Sequence, residues 1–334
     1  MKFWGNKVIF ITGANGFLGS HLVKRALAYN AKVIVLIKKD IRSPSFLIEG
    51  LYSKCKIYKG SLCNSKLINS IFKNNKIDVC FHLAAQAIVN TANNSPLGTF
   101  KANIEGTWNV LEAGRVFGVK AMTIASTDKA YGEHKQRPYD EASPLSTLYP
   151  YYASKFCADI LSRTYAHTYK LPVAVTRCAN IYGPGDFNFS RIVPGTCCSV
   201  IRGKDPVIKS DGKAIKDYAF VEDIVDAYFI LAKSLINKRI DFGEAFNLGT
   251  GKPISVANLV KMIIKVSGNK KLNPKILMSG TVPSECRGQS RKSGQSPLKH
   301  YFSSAKAKRV LGWESKYSLK EGLGITYKWY REHI

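Results

Sequence analysis

TGANGFLGS, residues 12–20, begins where an apolar run, KVIFIT (7–12), stops, and it ends inside a stretch patterned as a helix, about 17–29. Strand, glycine-rich turn and helix in that order put Gly13, Gly16 and Gly19 where a backbone turns tightly, approaches a pyrophosphate closely and packs a helix on a sheet, with the helix amino terminus facing the anion. The loop predicts dinucleotide binding, with Asn15, Phe17 and Leu18 as further contacts.

Working outward, apolar strands and amphipathic helices alternate. KVIVLI (32–37), KIYKG (56–60), IDVCFHL (77–83), KAMTIAS (120–126) and PVAVTRCAN (172–180) read as strands, and 64–73, 96–117 and 150–169 read as helices. This rhythm predicts an α/β fold with a doubly wound parallel sheet covered on both faces. After IYGPGD (181–186) the pattern is less regular, with AFNLG (245–249) among helices near 222–235 and 255–267. We therefore expect a first domain over 1–180 and a smaller, mixed α/β substrate domain over 181–334, some of whose segments return to the first. RGQSRKSGQSPLKH (287–300), rich in Ser, Gly and Lys, is expected to be a flexible loop.

Composition narrows the class. The 334 residues, 45% of them hydrophobic, are enough for a substantial core. No run reaches the roughly 18 apolar residues of a membrane span, and MKFWGNK passes into VIFIT without a signal-peptide pattern, so a cytoplasmic protein is expected. Cysteines 55, 63, 80, 157, 178, 197, 198 and 286 form no C-x-x-C pair, which argues against structural zinc and disulfides; Cys197 and Cys198 read as buried helix positions. Fifty Lys plus Arg against 23 Asp plus Glu leave a formal charge of +27. These residues are scattered, with no run of five or six and no aromatic interleaving, so they describe a solvated surface and not a nucleic-acid or membrane site.

The cofactor and the chemistry are carried by further motifs. Where the second strand ends, an acidic residue binds a ribose 2′-hydroxyl and a basic one tolerates a 2′-phosphate. Here Ile37 is followed by Lys38, Lys39, Asp40 and Arg42, which leaves both NAD and NADP open. YPYYASKFCADIL (149–161) places Tyr151 and Lys155 four apart on one helical face, within reach of a common partner, and a cation beside a phenol favours its ionised form. Tyr152, three from Lys155, does not share that spacing.

The G-x-x-G-x-x-G spacing, the Tyr-x-x-x-Lys pair, HLAAQA (82–87), Asn103 with Gly106 and Thr107, NIYGPGD from Asn180, DYAFVEDIVDAY (217–228) and RVLGW (309–313) together resemble the extended short-chain dehydrogenase/reductases, the NAD-dependent epimerase/dehydratase family. The resemblance implies a Rossmann-type domain and a tightly bound NAD or NADP regenerated each turnover. It also implies a homodimer packed through the 96–117 and Tyr-Lys helices. The implied cofactor contacts are the glycine loop, Lys38, Asp40, Ser61, Leu62, Leu83, Ala84, Ala85, Gln86, Asn103, Tyr151 and Lys155. Lys155 would hold the nicotinamide ribose and lower the pKa of Tyr151, whose phenolate would remove a proton from a sugar hydroxyl.

Within that family, the segment ASTDKAYG (125–132) is most similar to the nucleotide-sugar 4,6-dehydratases that carry Asp-Lys after this strand. The overall likeness is to the CDP-glucose branch first and the GDP-mannose branch next. Elimination of water across C5 and C6 needs a base and an acid beside the tyrosine. The resemblance assigns Asp128 as protonated acid, Lys129 as neutral base with its pKa depressed partly by Lys155, and Thr127 or Ser126 as hydrogen-bonding support. It assigns Gln86, Ser126, Thr127, Asn180, Arg191, Lys216 and Arg287 to the substrate. Lys216 departs from the pattern, because relatives often place an arginine before Asp-Tyr to bind the diphosphate, and a lysine lacks the bidentate fork. A 4-epimerase, needing only Tyr151 and the cofactor, is the alternative; a non-catalytic dinucleotide-binding regulator is the remote one.

Overall fold

The computed structural model describes residues 3–38, 43–132, 137–277 and 299–334. The apolar runs become β1 (Val8–Thr12), β2 (Lys32–Ile37), β3 (Lys56–Lys59), β4 (Val79–His82), β5 (Ala121–Ala125) and β6 (Val173–Cys178). Short strands follow: β7 (Asn180–Tyr182), β8 (Val207–Ile208), β9 (Ile215–Lys216), β10 (Tyr218–Phe220), β11 (Ala245–Leu248), β12 (Ile254–Ser255), β13 (Lys275–Ile276) and β14 (Lys299–His300). Between them run α1 (Phe17–Ala28), α2 (Pro44–Ile48), α3 (Ser65–Asn75), α4 (Val89–Asn94), α5 (Pro96–Phe100), α6 (Gly106–Val116), α7 (Pro150–Tyr169), α8 (Ile192–Ile201), α9 (Val221–Ile236), α10 (Val256–Ser267) and α11 (Leu319–His333).

Among the described residues seven strands form one sheet in the order β11-β6-β5-β4-β1-β2-β3, every neighbouring pair parallel. Strand side chains alternate between its faces. Ile9, Ile11, Val33 and Val35 join one core cluster with α9, whereas Phe10, Ile34 and Leu36 join another with α3 and α6. Burial on both faces explains why the strands read as continuous apolar runs. The strand order reverses at β1, flanked by β2 and β4, and there a crevice opens at the carboxyl ends of the strands.

Segments after residue 181 divide between two places. AFNLG supplies β11, the edge strand beside β6, and α9 packs on β5, β6 and α1, so both belong to the large sheet. The remainder builds a smaller lobe in which α8, α10 and α11 close over Tyr182, Val193, Leu259, Ile263, Leu323 and Tyr330. Cys197 and Cys198 are buried in α8, as their sequence context suggested. The expected long helix over 96–117 is α5 and α6 joined by a wide π turn, Lys101–Glu105, that carries Asn103. Among the described residues no helix is long and apolar enough to cross a membrane. Of the expected loop 287–300, only 299–300 fall within the described residues, and they form β14; Asp40, Arg287 and Cys286 lie outside them.

Candidate active site

A cavity of about 1170 Å³ lies over the carboxyl ends of the central strands and extends to the smaller lobe. Its floor is the glycine loop. Gly13 has φ +68°, and a Cβ there would sit 2.8 Å from the Ala84 nitrogen; a Cβ on Gly19 would sit 2.1 Å from the Gly13 carbonyl oxygen. Only glycine fits a backbone drawn this close to its neighbours, and the bare peptide edge at the start of α1 suits a pyrophosphate. Asn15, Gly16, Phe17, Leu18, Lys38, Ser61, Leu62, Leu83, Ala84, Ala85 and Gln86 line the same end. These residues form a cradle of dinucleotide shape and chemistry.

Asn103 does not line the cavity and stands behind its wall. Its amide oxygen accepts from the Gln86 nitrogen (2.6 Å), and its Nδ2 donates to the Gln86 carbonyl (3.1 Å) and to Ser154 Oγ (2.8 Å). The π turn in the long helix thus serves to aim Asn103 at the Gln86 loop, and any influence on the cofactor passes through that loop.

The reacting end is built by β5, α7 and the turn after β5. Thr127 caps a short 3-10 turn, Asp128–Tyr131; its hydroxyl accepts from the Lys129 nitrogen (3.3 Å) and donates to Asp128 Oδ1 (3.1 Å). The turn is anchored from behind because Tyr131 donates its hydroxyl to Asn247 Oδ1 (2.7 Å) and accepts from Arg177 (2.9 Å), which is itself paired with Asp159 inside the core. Lys129 Nζ lies 2.5 Å from Asp128 Oδ2, and both residues line the cavity with Ser126, Thr127, Tyr151 and Lys155. Ser126 Oγ is buried and has no hydrogen-bond partner among the described residues, which leaves it available to a ligand hydroxyl.

The electrostatics differ from expectation in two respects. First, burial pushes the Asp128 carboxyl up, but the Lys129 charge, His300 and the Thr127 hydrogen bond outweigh it and hold the carboxyl below its ordinary value. This direction favours a carboxylate at Asp128, 2.5 Å from Lys129 Nζ, where a protonated acid was expected. Second, Lys155 donates to the Ala125 carbonyl (2.7 Å), and burial lowers its own pKa to about 8. Burial pushes the Tyr151 phenol up to about 12, helped by Asp128; Arg191 and a hydrogen bond with Thr127 act in the opposite direction. The net direction is upward, where a lowering by Lys155 was expected.

On the far side the cavity is lined by Asn180, Arg191 and Lys216, with Ile192, Val193 and Ile208 beside them. Asn180 Nδ2 donates to the Asp217 carbonyl (3.0 Å), and Arg191 pairs with Asp186 (2.9 Å). Lys216 sits on β9 between β12 and β14. Sequence reasoning missed one residue that touches the reacting end. His300, on β14 and 2% exposed, places Nε2 3.0 Å from the Asp128 carbonyl oxygen and 3.4 Å from Asp128 Oδ2. No local motif marks it, since it follows a polar stretch and meets Asp128 only across the fold.

This arrangement can hold a dinucleotide against a polyhydroxylated ligand and move protons at three adjacent side chains. The family model described as the NAD dependent epimerase/dehydratase family matches residues 9–249. The chain is 28% identical to the dTDP-D-glucose 4,6-dehydratase of Homo sapiens, covering 98% of this chain and 91% of that protein. The UDP-glucose 4-epimerase of Thermotoga maritima, solved with UDP-glucose, superposes with a TM-score of 0.84 at 29% identity, covering 97% of this chain and 99% of that one. The dTDP-glucose 4,6-dehydratase of Bacillus anthracis, solved with NAD, gives a TM-score of 0.82 at 25% identity over 98% of this chain and 97% of that one.

Proposed function

Because the chain belongs to the NAD-dependent epimerase/dehydratase family, we propose that it is an NAD-dependent hydro-lyase converting a nucleoside-diphosphate hexose to the 4-keto-6-deoxy sugar. The observation that carries this reading is the Asp128–Lys129 pair facing the same cavity as Tyr151 and the glycine loop. Oxidation at C4 alone needs no such pair.

The glycine loop and Lys155 would hold NAD, which would supply reversible hydride acceptance. Tyr151 takes the proton of the C4 hydroxyl, and Ser126 and Thr127 orient the sugar. The resulting ketone makes the C5 proton acidic. Lys129, as amine, removes it while Asp128, as acid, protonates the departing C6 hydroxyl, which leaves as water. One proton passing across the 2.5 Å contact converts the resting ion pair into that amine and acid without changing net charge. A substrate that covers the site favours the neutral pair, because separate charges lose more solvation than neutral groups do. After elimination the pair is carboxylate and ammonium; Lys129 gives its proton to C5, and the proton that Tyr151 took up as phenolate passes through solvent to Lys129, which restores the starting ion pair and phenolate.

The overall likeness of the sequence favours a CDP-glucose type of substrate first and a GDP-mannose type next, with Arg191 and Lys216 on the diphosphate. The enzyme works in the cytoplasm as a homodimer formed through α6 and α7. Likeness to the Thermotoga maritima epimerase motivates the second reading, C4 inversion without water loss.

The test is to incubate the purified protein in deuterium oxide with CDP-glucose, GDP-mannose, dTDP-glucose and UDP-glucose and to weigh the products. Dehydration lowers the sugar mass by one water and installs solvent deuterium at C5. Asp128→Asn is expected to lower turnover by about 100- to 1000-fold while still binding nucleotide-sugar. A C4-inverted product of unchanged composition would replace this reading with the epimerase, and conversion of none of the four would overturn both.

A further inference from the structure

We propose that His300 is a positioning residue for elimination: as the neutral Nε2–H tautomer it holds the Asp128 peptide, and so keeps the Asp128–Lys129 pair aimed into the cavity. This inference rests on the dehydratase reading above.

The geometry specifies both tautomer and role. The Asp128 carbonyl oxygen can only accept, so at 3.0 Å the Nε2 atom must carry the proton. The imidazole faces Asp128 and Lys129 from the β5 side and Lys216 from the β9 side, with the Tyr139 ring edge-on at 5.3 Å. Burial, the Lys129 charge and, more weakly, Lys216 lower its pKa to about 4, against the pull of Asp128. At neutral pH the ring therefore positions the peptide without bringing a second full cation to the pair.

The ring is itself held rigidly. Tyr139 donates its nitrogen to the Tyr301 carbonyl (3.3 Å), accepts at its own carbonyl from the Ser303 nitrogen (2.7 Å) and stacks on Tyr131 of the catalytic turn at 5.3 Å. On the other side His300 is in register with Lys216 across the β14–β9 ladder. His300 thus ties the turn that carries the acid and base to the strand that carries a substrate-facing lysine. Tyr131 fixes the turn through Asn247 and Arg177, and His300 is a second fastening, at the Asp128 peptide. The carboxylate would otherwise be free to rotate with its own peptide, and proton-transfer geometry is unforgiving at this scale.

Glutamine and asparagine separate position from polarity. Gln extends its amide nitrogen to about the Nε2 position, whereas Asn stops at the level of Nδ1. His300→Asn is expected to lower kcat about tenfold or more with KM within about twofold, slowing exchange of solvent deuterium into C5 in proportion, whereas His300→Gln stays within about threefold of the parent. Nitrogen-15 imidazole spectra of the resting protein should show one neutral Nε2–H histidine that disappears in both variants. A parent protein whose His300 is an imidazolium or the Nδ1–H tautomer at pH 7 would overturn the proposal. So would an Asn variant that turns over like the parent, a loss confined to KM, or equal losses in both variants. A parent protein active as a dehydratase with any of these outcomes removes the His300 role alone. A parent inert towards nucleotide-sugars removes the reaction, and this inference with it.

Discussion

Lys155 has its charge buried at 6% exposure, where it donates to the neutral Ala125 carbonyl. Burial lowers its pKa in the fold to about 8, below the ordinary 10.5. The unfolded chain therefore binds more protons between those values, and the fold gains stability as pH rises through that window. Below it the buried charge costs about 3 kcal/mol, at about 1.4 kcal/mol per unit. Lys155→Met, after loss of a hydrogen bond worth roughly 1 kcal/mol, is expected to stabilise the cofactor-free protein by about 1–2 kcal/mol in urea melts at pH 7. The gain should shrink towards pH 10, and turnover should be lost. Such a trade is expected of a residue kept for its chemistry. Tyr151 and Lys155 were legible because a four-residue spacing on a helix guarantees a shared face. His300 was not, because the 172 residues separating it from Asp128 carry no periodicity that announces the contact.

The element on which the chemistry depends most is the four-residue turn after β5. It is capped by Thr127 at one end and closed by Gly132 at the other, where φ is +70° and ψ is −145°. That backbone region is essentially reserved for glycine. A Cβ at Gly132 would also fall 1.5 Å from the Ser146 carbonyl oxygen. Gly132→Ala is expected to destabilise the protein by at least about 3 kcal/mol in denaturant melts and to abolish turnover. Gly118→Ala is the control, since at φ +67° nothing lies within 4 Å and the cost should be about 1 kcal/mol. A Gly132 variant no worse than this control would show that the turn can relax. The sequence marks this turn by a strand running out into ASTDKAYG. It does not reveal that Tyr131 and His300 hold the turn, since those contacts reach to Arg177, Asn247 and β14.

At the scale of the whole molecule, the helices outside the sheet leave apolar surface exposed: Leu97 (67%), Trp108 (44%) and Ile160, with Tyr149 and Tyr169 at the two ends of α7. Arg115 over the Tyr169 ring at 5.3 Å ties α6 to α7 on the same molecule. A proposed two-fold pairing of these helices would cover that surface. Trp108→Glu is expected to convert a dimer to a monomer in sedimentation equilibrium, and a monomeric parent protein would refute the pairing. The division between lobes is also a whole-molecule property. β11 reads locally like the short strands around it, yet it completes the large sheet because β6 would otherwise present an unpaired edge.

The amino-acid sequence by itself determined the parallel α/β architecture, the glycine-rich dinucleotide loop and the shared helical face of Tyr151 and Lys155. Each of these depends on residues near one another in the chain, where strand alternation, helical spacing and glycine's backbone freedom act directly. Tertiary structure alone decided that Lys129 and His300 draw the Asp128 carboxyl below its ordinary value, that burial raises the Tyr151 phenol, that Asn103 stands behind the cavity wall, and that His300 reaches the turn after β5. Protonation and aim are set by what surrounds a group in space, and burial together with through-space charge has no counterpart in local sequence order.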